Sequence, residues 1–300
     1  MLQKFNIKNR DLIININGSL LHRDDAGISP FDSAVQGGDA VWEGLRVYDG
    51  KIFRLCAHLD RLRSSALALD FKQIPSHESI TEEIKRTLEA NHMRDNAHIR
   101  LTLTRGIKVT SGMDPRLNTK GPTLIVLAEH KEPVYDKSGL KLITSSVRRP
   151  SPDVLDAKIH HCNLIQSILA KIEATYSGAD DAIMLDQRGF VAETNATHLF
   201  IVHNNTLITS RLIACPEGIT REVVLNLCNS NQIKHEIRDY SLPEVYRSEE
   251  MFCTGTMGEL APITEVDGRV IGNGKIGPMT KIMTNLFNEC VASEAEPVLN

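Results

Sequence analysis

The chain has 300 residues, 41% of them hydrophobic, enough to bury a sizeable core in one large or two compact domains. Its 34 lysines and arginines stand against 38 acidic residues, a formal net charge of -4, and the basic residues are spread rather than blocked. That balance leaves no electrostatic footprint for nucleic acid or an anionic membrane and points to a small-molecule partner.

The opening MLQKFNIKNRDLIININGSLL lacks the uninterrupted apolar run of a signal peptide, and no later segment stays apolar long enough to span a bilayer, so a cytoplasmic protein is expected. DLIININGSLL and LRVYDGKIF alternate and break at glycine as hairpin strands do, while AHLDRLRSSALALDF has helical spacing. SITEEIKRTLEANHM predicts a second amphipathic helix with Ser79 as its N-cap. HIRLTLTRG and PTLIVLAEH are β-rich and flank a polar loop. Together these predict an α+β N-terminal domain over residues 1–130, with the polar stretch KEPVYDKSG as a linker over 131–139.

The second domain, 140–300, opens with a strand (LKLITSSV), a Pro-bracketed loop (RRPSPDVLDAK) and a helix, NLIQSILAKIEATYSG, stopped by Gly178. DDAIMLDQRGFVAETNATHLFIVHNNTLITS predicts three strands joined by Gly- and Asn-containing turns. GITREVVLNLCNS begins another helix, and EMFCTGTMGELAPITEVDGRVIG returns to strand and turn. The six cysteines, 56, 162, 215, 228, 253 and 290, include no CxxC pair, which predicts reduced thiols and proposes no zinc site.

Several residues could carry chemistry. Lys158 lies between the Pro-rich loop and a helix; a lysine is a useful nucleophile only where its surroundings lower its pKa, and taken alone it is more readily a solvated surface residue. Glu193, inside FVAETNATHLF, is costly as a buried carboxylate unless it meets a partner, and an arginine or a protonated pyridine nitrogen would serve equally. In PEGITREVV, the backbone N–H groups of Gly218, Ile219 and Thr220 could hold a phosphate at a helix start, or Thr220 could simply cap it. In FCTGTMGELAPI, Thr254, Thr256 and nearby amides could cradle an anion, or the glycines could serve only the turn. A metal-dependent hydrolase built on His160, His161, Cys162 and Asp156 is disfavoured, because adjacent histidines in an extended segment point to opposite faces and no HxH or HxxxH spacing is present. No metal is expected.

The combination is more specific than its parts. GDAVWEGLRVYDG, FRLCAHLDRLRSSA, HIRLTLTRG, Lys158, DDAIMLDQRGFVAETNATHLF, GITRE and TGTMGELAPITEVDGR with GPMTK, in that order, resemble the class IV, pyridoxal-phosphate-dependent aminotransferases. The resemblance runs from about residue 9 to residue 290 and is nearest in layout to the branched-chain amino-acid aminotransferases. It implies the two-domain fold of fold type IV, like that of D-amino-acid aminotransferases, with a barrel-like core in the second domain and the cofactor, pyridoxal 5'-phosphate, in the interdomain cleft. It further implies that Lys158 forms the Schiff base and moves the substrate proton, and that Glu193 pairs with the pyridinium nitrogen. Arg61 of HLDRL matches the family's phosphate-binding arginine, and Ile219, Thr220 and Thr256 would complete the phosphate cup. Gly37, Trp42, His98, Arg100 and Met257 fall to the substrate side. The implied activity is ping-pong transfer of an amino group between an amino acid, branched-chain-like, and a 2-oxo acid, by a homodimer or higher homo-oligomer whose second subunit completes the site.

Some positions depart from the branched-chain pattern. Gly37 stands where a tyrosine is usual, and His98-Ile99-Arg100 where a Tyr-x-Arg is typical. The segment Ile159–Asn163 aligns only with a one-residue insertion, and Leu164 then replaces a family tyrosine. These changes cluster where the family shapes its substrate, so a D-amino-acid or (R)-amine transaminase and an aminodeoxychorismate lyase stay open as alternatives. Arg100, with Arg46 and Arg105, favours a substrate bearing a carboxylate, although Arg46 and Arg105 are each expected in ordinary ion pairs. His160 and His161 are expected to shape the site or pack beneath it, and Cys162 to be a core thiol.

Overall fold

A computed structural model describes residues 3–299, and the chain divides into two compact units. The first holds the chain through Glu132, the short return Ile159–Asn163 and the run from Glu294 onward; the second holds Pro133–Lys158 and Leu164–Ser293.

In the first unit the elements are β1 (Ile13–Ile16), β2 (Ser19–His22), α1 (Ser33–Gly37), β3 (Ala40–Tyr48), β4 (Lys51–Phe53), α2 (Leu55–Ala68), α3 (His77–Ala90), β5 (Ala97–Thr104) and β6 (Thr123–His130). With the C-terminal strand Ala295–Pro297 they form an antiparallel sheet in the order Ala295–Pro297, β4, β3, β5, β6, β1, β2. The β1–β2 turn sits on Asn17 and Gly18, with φ of 50° and 81°, the left-handed pair a two-residue hairpin requires. Alternation along β3 and β5 sends Val41, Leu45, Val47, Ile99, Leu101 and Leu103 into a core with Leu59, Leu62, Ile80, Ile84 and Leu88 of α2 and α3. The opposite face carries Trp42, Gly44 and Arg46, in register with Thr102, Arg100 and His98. The cap of α3 is Ser76, whose hydroxyl accepts the Ser79 N–H at 3.2 Å, so Ser79 is not the N-cap predicted. The helix starts earlier because Glu78 in its first turn suits the positive helix end.

The second unit contains β7 (Leu140–Thr144), α4 (Pro152–Leu155), α5 (Ile165–Tyr176), β8 (Asp181–Leu185), β9 (Val191–Thr194), β10 (His198–His203), β11 (Thr206–Thr209), α6 (Ile219–Ser230), β12 (His235–Ile237), α7 (Leu242–Tyr246), β13 (Glu250–Gly255), β14 (Glu259–Val266) and β15 (Arg269–Val270), followed by the long α8 (Pro278–Glu294). Its sheet runs β12-β11-β10-β13-β14-β7-β8-β9, with β15 on β14. The β11–β12, β14–β7 and β7–β8 pairs are parallel and the others antiparallel. Leu142, Ile183, Leu199, Ile201, Met251 and Ile263 are central to its core. The stretch from Asp181 to Thr209 forms four strands, not the three predicted. Thr194 is the cause: its hydroxyl accepts the N–H groups of Ala196 and Thr197 at 3.1 and 2.9 Å, folding what looks like one long strand into a tight turn between β9 and β10. Among the described residues no helix is long and apolar enough to cross a membrane.

Candidate active site

Four of the sequence-predicted features fall in the second unit. Lys158 follows α4, where Asp156 Oδ1 accepts its backbone N–H at 2.9 Å in an Asx-type turn that fixes the chain there. Its side chain is exposed, and among the described residues nothing engages its ammonium. Ile219 and Thr220 open α6, a 12-residue helix whose N-cap, Gly218, offers no side chain to its first N–H groups. Those groups and the positive helix end suit an anion. Glycine is required at 218, because a methyl group there would overlap the His198 ring.

The β13–β14 turn supplies the rest of the anion-binding elements. Thr254 is buried and its hydroxyl has no hydrogen-bond partner among the described residues. Thr256 and Met257 lie in the turn itself, which is anchored from the start of the unit. The Met257 carbonyl accepts the Val134 N–H at 3.3 Å, and the Tyr135 ring packs where a side chain at Gly258 would stand. Tyr135 in turn donates its hydroxyl to the buried Asp181 at 2.6 Å.

Glu193 occupies the buried strand β9, its side chain 4% exposed, opposite Met184 of β8. The Arg149 guanidinium meets its carboxylate at 2.6 Å. A strand carboxylate this deep is stable as an anion only beside a cation, and Arg149 provides one. Nothing in the sequence beyond the RRP dipeptide context singles out Arg149.

In the first unit the central group is Glu43, which alternation places on the core face of β3 and which is fully buried. Arg61 grips it with both ends of its fork, Nε to Oε1 at 2.8 Å and Nη2 to Oε2 at 2.7 Å, and His58 Nδ1 lies 2.6 Å from Oε2. Burial pushes the Glu43 carboxyl up, but the charge of Arg61, then that of His160, outweighs it and holds the group well below the usual carboxylate range. His58 and Arg61 stand three apart on α2, hence on one helix face. That spacing is the sequence signal by which the cluster could have been found, whereas Glu43 and His58 carried no assignment.

The return Ile159–Asn163 runs against the start of β3. Trp42 N donates to His160 O at 3.0 Å, Cys162 N to Ala40 O at 2.8 Å, and Trp42 Nε1 to His161 O at 3.1 Å. His160 stacks on the Trp42 ring at 4.4 Å, with its Nδ1 2.6 Å from the Trp42 carbonyl and 3.3 Å from Glu43. Burial, then the charge of Arg61, pushes the His160 pKa down. The Arg100 guanidinium covers the other side of this cluster, 3.5 Å from the Trp42 ring centre, with Cys162 Sγ at 3.9 Å. Cys162 is half-buried beside that arginine and not the core thiol predicted, because its backbone is held at the sheet edge rather than inside it. His98 Nδ1 donates to the Leu45 carbonyl at 2.9 Å. At Gly37 a side chain would meet open space. Arg105 forks onto Asp39 at 2.6 and 3.0 Å, and Arg46 reaches the Lys131 carbonyl at 3.3 Å. Among the described residues no group of three His, Cys, Asp or Glu side chains is placed to hold a metal ion.

Residues 40–266 match the family model described as amino-transferase class IV. Branched-chain-amino-acid aminotransferase-like protein 2 of Arabidopsis thaliana is 51% identical over 292 residues, covering 97% of this chain and 52% of that protein. The chain therefore spans about half the length of that relative. The branched-chain-amino-acid aminotransferase of Pseudomonas aeruginosa is 34% identical over 307 residues, covering 96% of this chain and 95% of the other. Among solved structures, a branched-chain amino acid aminotransferase complexed with N-(5'-phosphopyridoxyl)-L-glutamate, its source given as T.th., matches with a TM-score of 0.88 at 29% identity, over 96% of this chain and 99% of that one.

Proposed function

Because the chain belongs to the class IV aminotransferases, we propose that it is a pyridoxal 5'-phosphate-dependent transaminase moving an amino group between a branched-chain-like amino acid and a 2-oxo acid. The observation that carries this reading is the donor set gathered in the second unit: an unengaged lysine amine, a buried carboxylate and a helix start without a side-chain cap. These suit the cofactor's carbonyl, its ring nitrogen and its phosphate in turn.

When bound, the cofactor supplies an electrophilic carbon for amine exchange and a ring that accepts the electron pair left when a substrate Cα–H bond breaks. Lys158 Nζ is the nucleophile that anchors it and the base that takes the Cα proton and returns it. Glu193 holds a proton on the ring nitrogen. The N–H groups of Ile219 and Thr220 and the hydroxyls of Thr220 and Thr256 receive the phosphate, at a helix end whose dipole favours its charge. Trp42, His98 and Arg100 share one face of the first unit's sheet and are assigned to substrate recognition, as is Met257 in the second unit. A cytoplasmic homodimer is the assembly we propose, a reading supported by the family and by six cysteines that are all free.

The test is spectroscopic first. Purified protein incubated with pyridoxal phosphate is expected to absorb near the visible edge and to shift on adding an amino donor; no such chromophore would overturn the reading. A panel of L-branched-chain, D-amino and (R)-amine donors against 2-oxoglutarate and pyruvate then separates the transaminase specificities, and pyruvate release from aminodeoxychorismate separates the lyase.

A further inference from the structure

We propose that Arg149 is a positioning residue for this reaction, keeping the Glu193 carboxylate ionised and fixed in orientation so that it can hold a proton on the cofactor's ring nitrogen. The inference rests on the role just assigned to Glu193.

Arg149 is itself unusually well fixed. Its backbone N–H donates to the Leu185 carbonyl at 2.9 Å, and its own carbonyl accepts from Gln187 Nε2 at 2.9 Å. The guanidinium then distributes its donors over three elements: Nε to the Ala214 carbonyl ahead of α6 at 3.1 Å, Nη1 to the Ser167 hydroxyl of α5 at 3.3 Å, and Nη2 to Glu193 Oε1 of β9 at 2.6 Å. A planar fork held at three points can turn only by giving up hydrogen bonds, so the carboxylate it grips inherits its orientation.

The neighbouring charges identify Arg149 as the cation that matters. The thiol of Cys215 is pushed up to about 12, first by burial and then by the charge of Glu193, so it stays neutral. Arg221 also faces this region, but its Nη2 donates to the Ser210 backbone carbonyl at 2.8 Å rather than to a carboxylate. Remove the Arg149 charge and a carboxylate 4% exposed is left without its paired cation. Such a group takes up a proton instead, and a neutral carboxyl cannot hold a proton on a ring nitrogen.

The experiment reconstitutes wild type, Arg149→Gln, Arg149→Lys and Glu193→Gln with pyridoxal phosphate labelled with nitrogen-15 in the ring, and follows the ring nitrogen's chemical shift against pH. Arg149→Gln is expected to show a neutral ring nitrogen at neutral pH, as Glu193→Gln does. Arg149→Lys keeps the charge but loses the fork, so its ring nitrogen stays cationic at neutral pH and releases its proton about one pH unit below wild type, a tenfold weaker hold. A merely structural arginine would not move this signal. Arg149→Gln with a cationic ring nitrogen overturns the proposal; if that variant does not fold, Arg149→Lys titrating like wild type does so. A cationic ring nitrogen in Glu193→Gln, or no cofactor uptake by wild type, overturns the role of Glu193 and this inference with it.

Discussion

Glu43 and Arg61 form a buried, two-point ion pair in the first unit, Nε to Oε1 at 2.8 Å and Nη2 to Oε2 at 2.7 Å, with His58 closing on the same carboxylate. Charge placed among Val41, Leu45 and Leu59 is tolerable only because each group satisfies the other. Replacing Glu43 by alanine leaves the guanidinium uncompensated. The expected loss is about 3–5 kcal/mol, read as a lower midpoint in denaturant unfolding.

The same carboxylate contributes to acid sensitivity. Its folded pKa is depressed, so its contribution is fully present above the unfolded value of about 4.3 and is lost as pH falls through the folded one. Glu43→Gln is expected to flatten stability against pH below about 4.3 relative to wild type.

His98 acts in a higher window. Burial first, then the charge of Lys131, pushes it down to about 3, whereas an unfolded histidine titrates near about 6.5. The unfolded chain therefore binds the extra proton between those values, and stability present above about pH 6.5 falls as acid is added, by at most about 1.4 kcal/mol per pH unit from this one group. In His98→Gln that part of the slope should vanish, which unfolding curves between pH 4 and 7, roughly that window, will register; an unchanged slope would contradict the assignment.

Gly218 is the tightest point of the proposed phosphate cup. Alanine there drives a methyl group into the His198 ring, at a cost of about 1–3 kcal/mol for overpacking. The displaced start of α6 should weaken cofactor uptake more than overall stability. Titration of the apoprotein with pyridoxal phosphate, followed by absorbance, gives the comparison.

Lys158 presents the opposite case. Its exposed side chain makes no hydrogen bond or ion pair among the described residues, so Lys158→Ala should change stability by no more than about 0.5 kcal/mol. Turnover should drop by at least about 100-fold, the usual contribution of a positioned acid–base group. Retained turnover would remove the lysine from the mechanism.

Local pattern was sufficient for much of the fold and for part of the site. The Asn17–Gly18 hairpin, the helical spacing of α2 and α6 and the alternation of β5 and β6 all depend on residues a few positions apart, where turn chemistry and periodicity act directly. Lys158 and the Gly218 helix start could be picked out for the same reason. Where one side chain redirected the chain, pattern misled: the Thr194 hydroxyl splits an apparent strand in two, and Ser76 rather than Ser79 caps α3. The partners of the charged groups required the tertiary structure. Arg61 reaches Glu43 because α2 packs on the core face of β3, Arg149 reaches Glu193 across the strand β8 between them, and His160 reaches Trp42 because the chain returns along β3. Ion pairs of this kind are set by sheet register and chain return, which bring distant residues together, while sequence spacing specifies only which face of its own element each side chain leaves from.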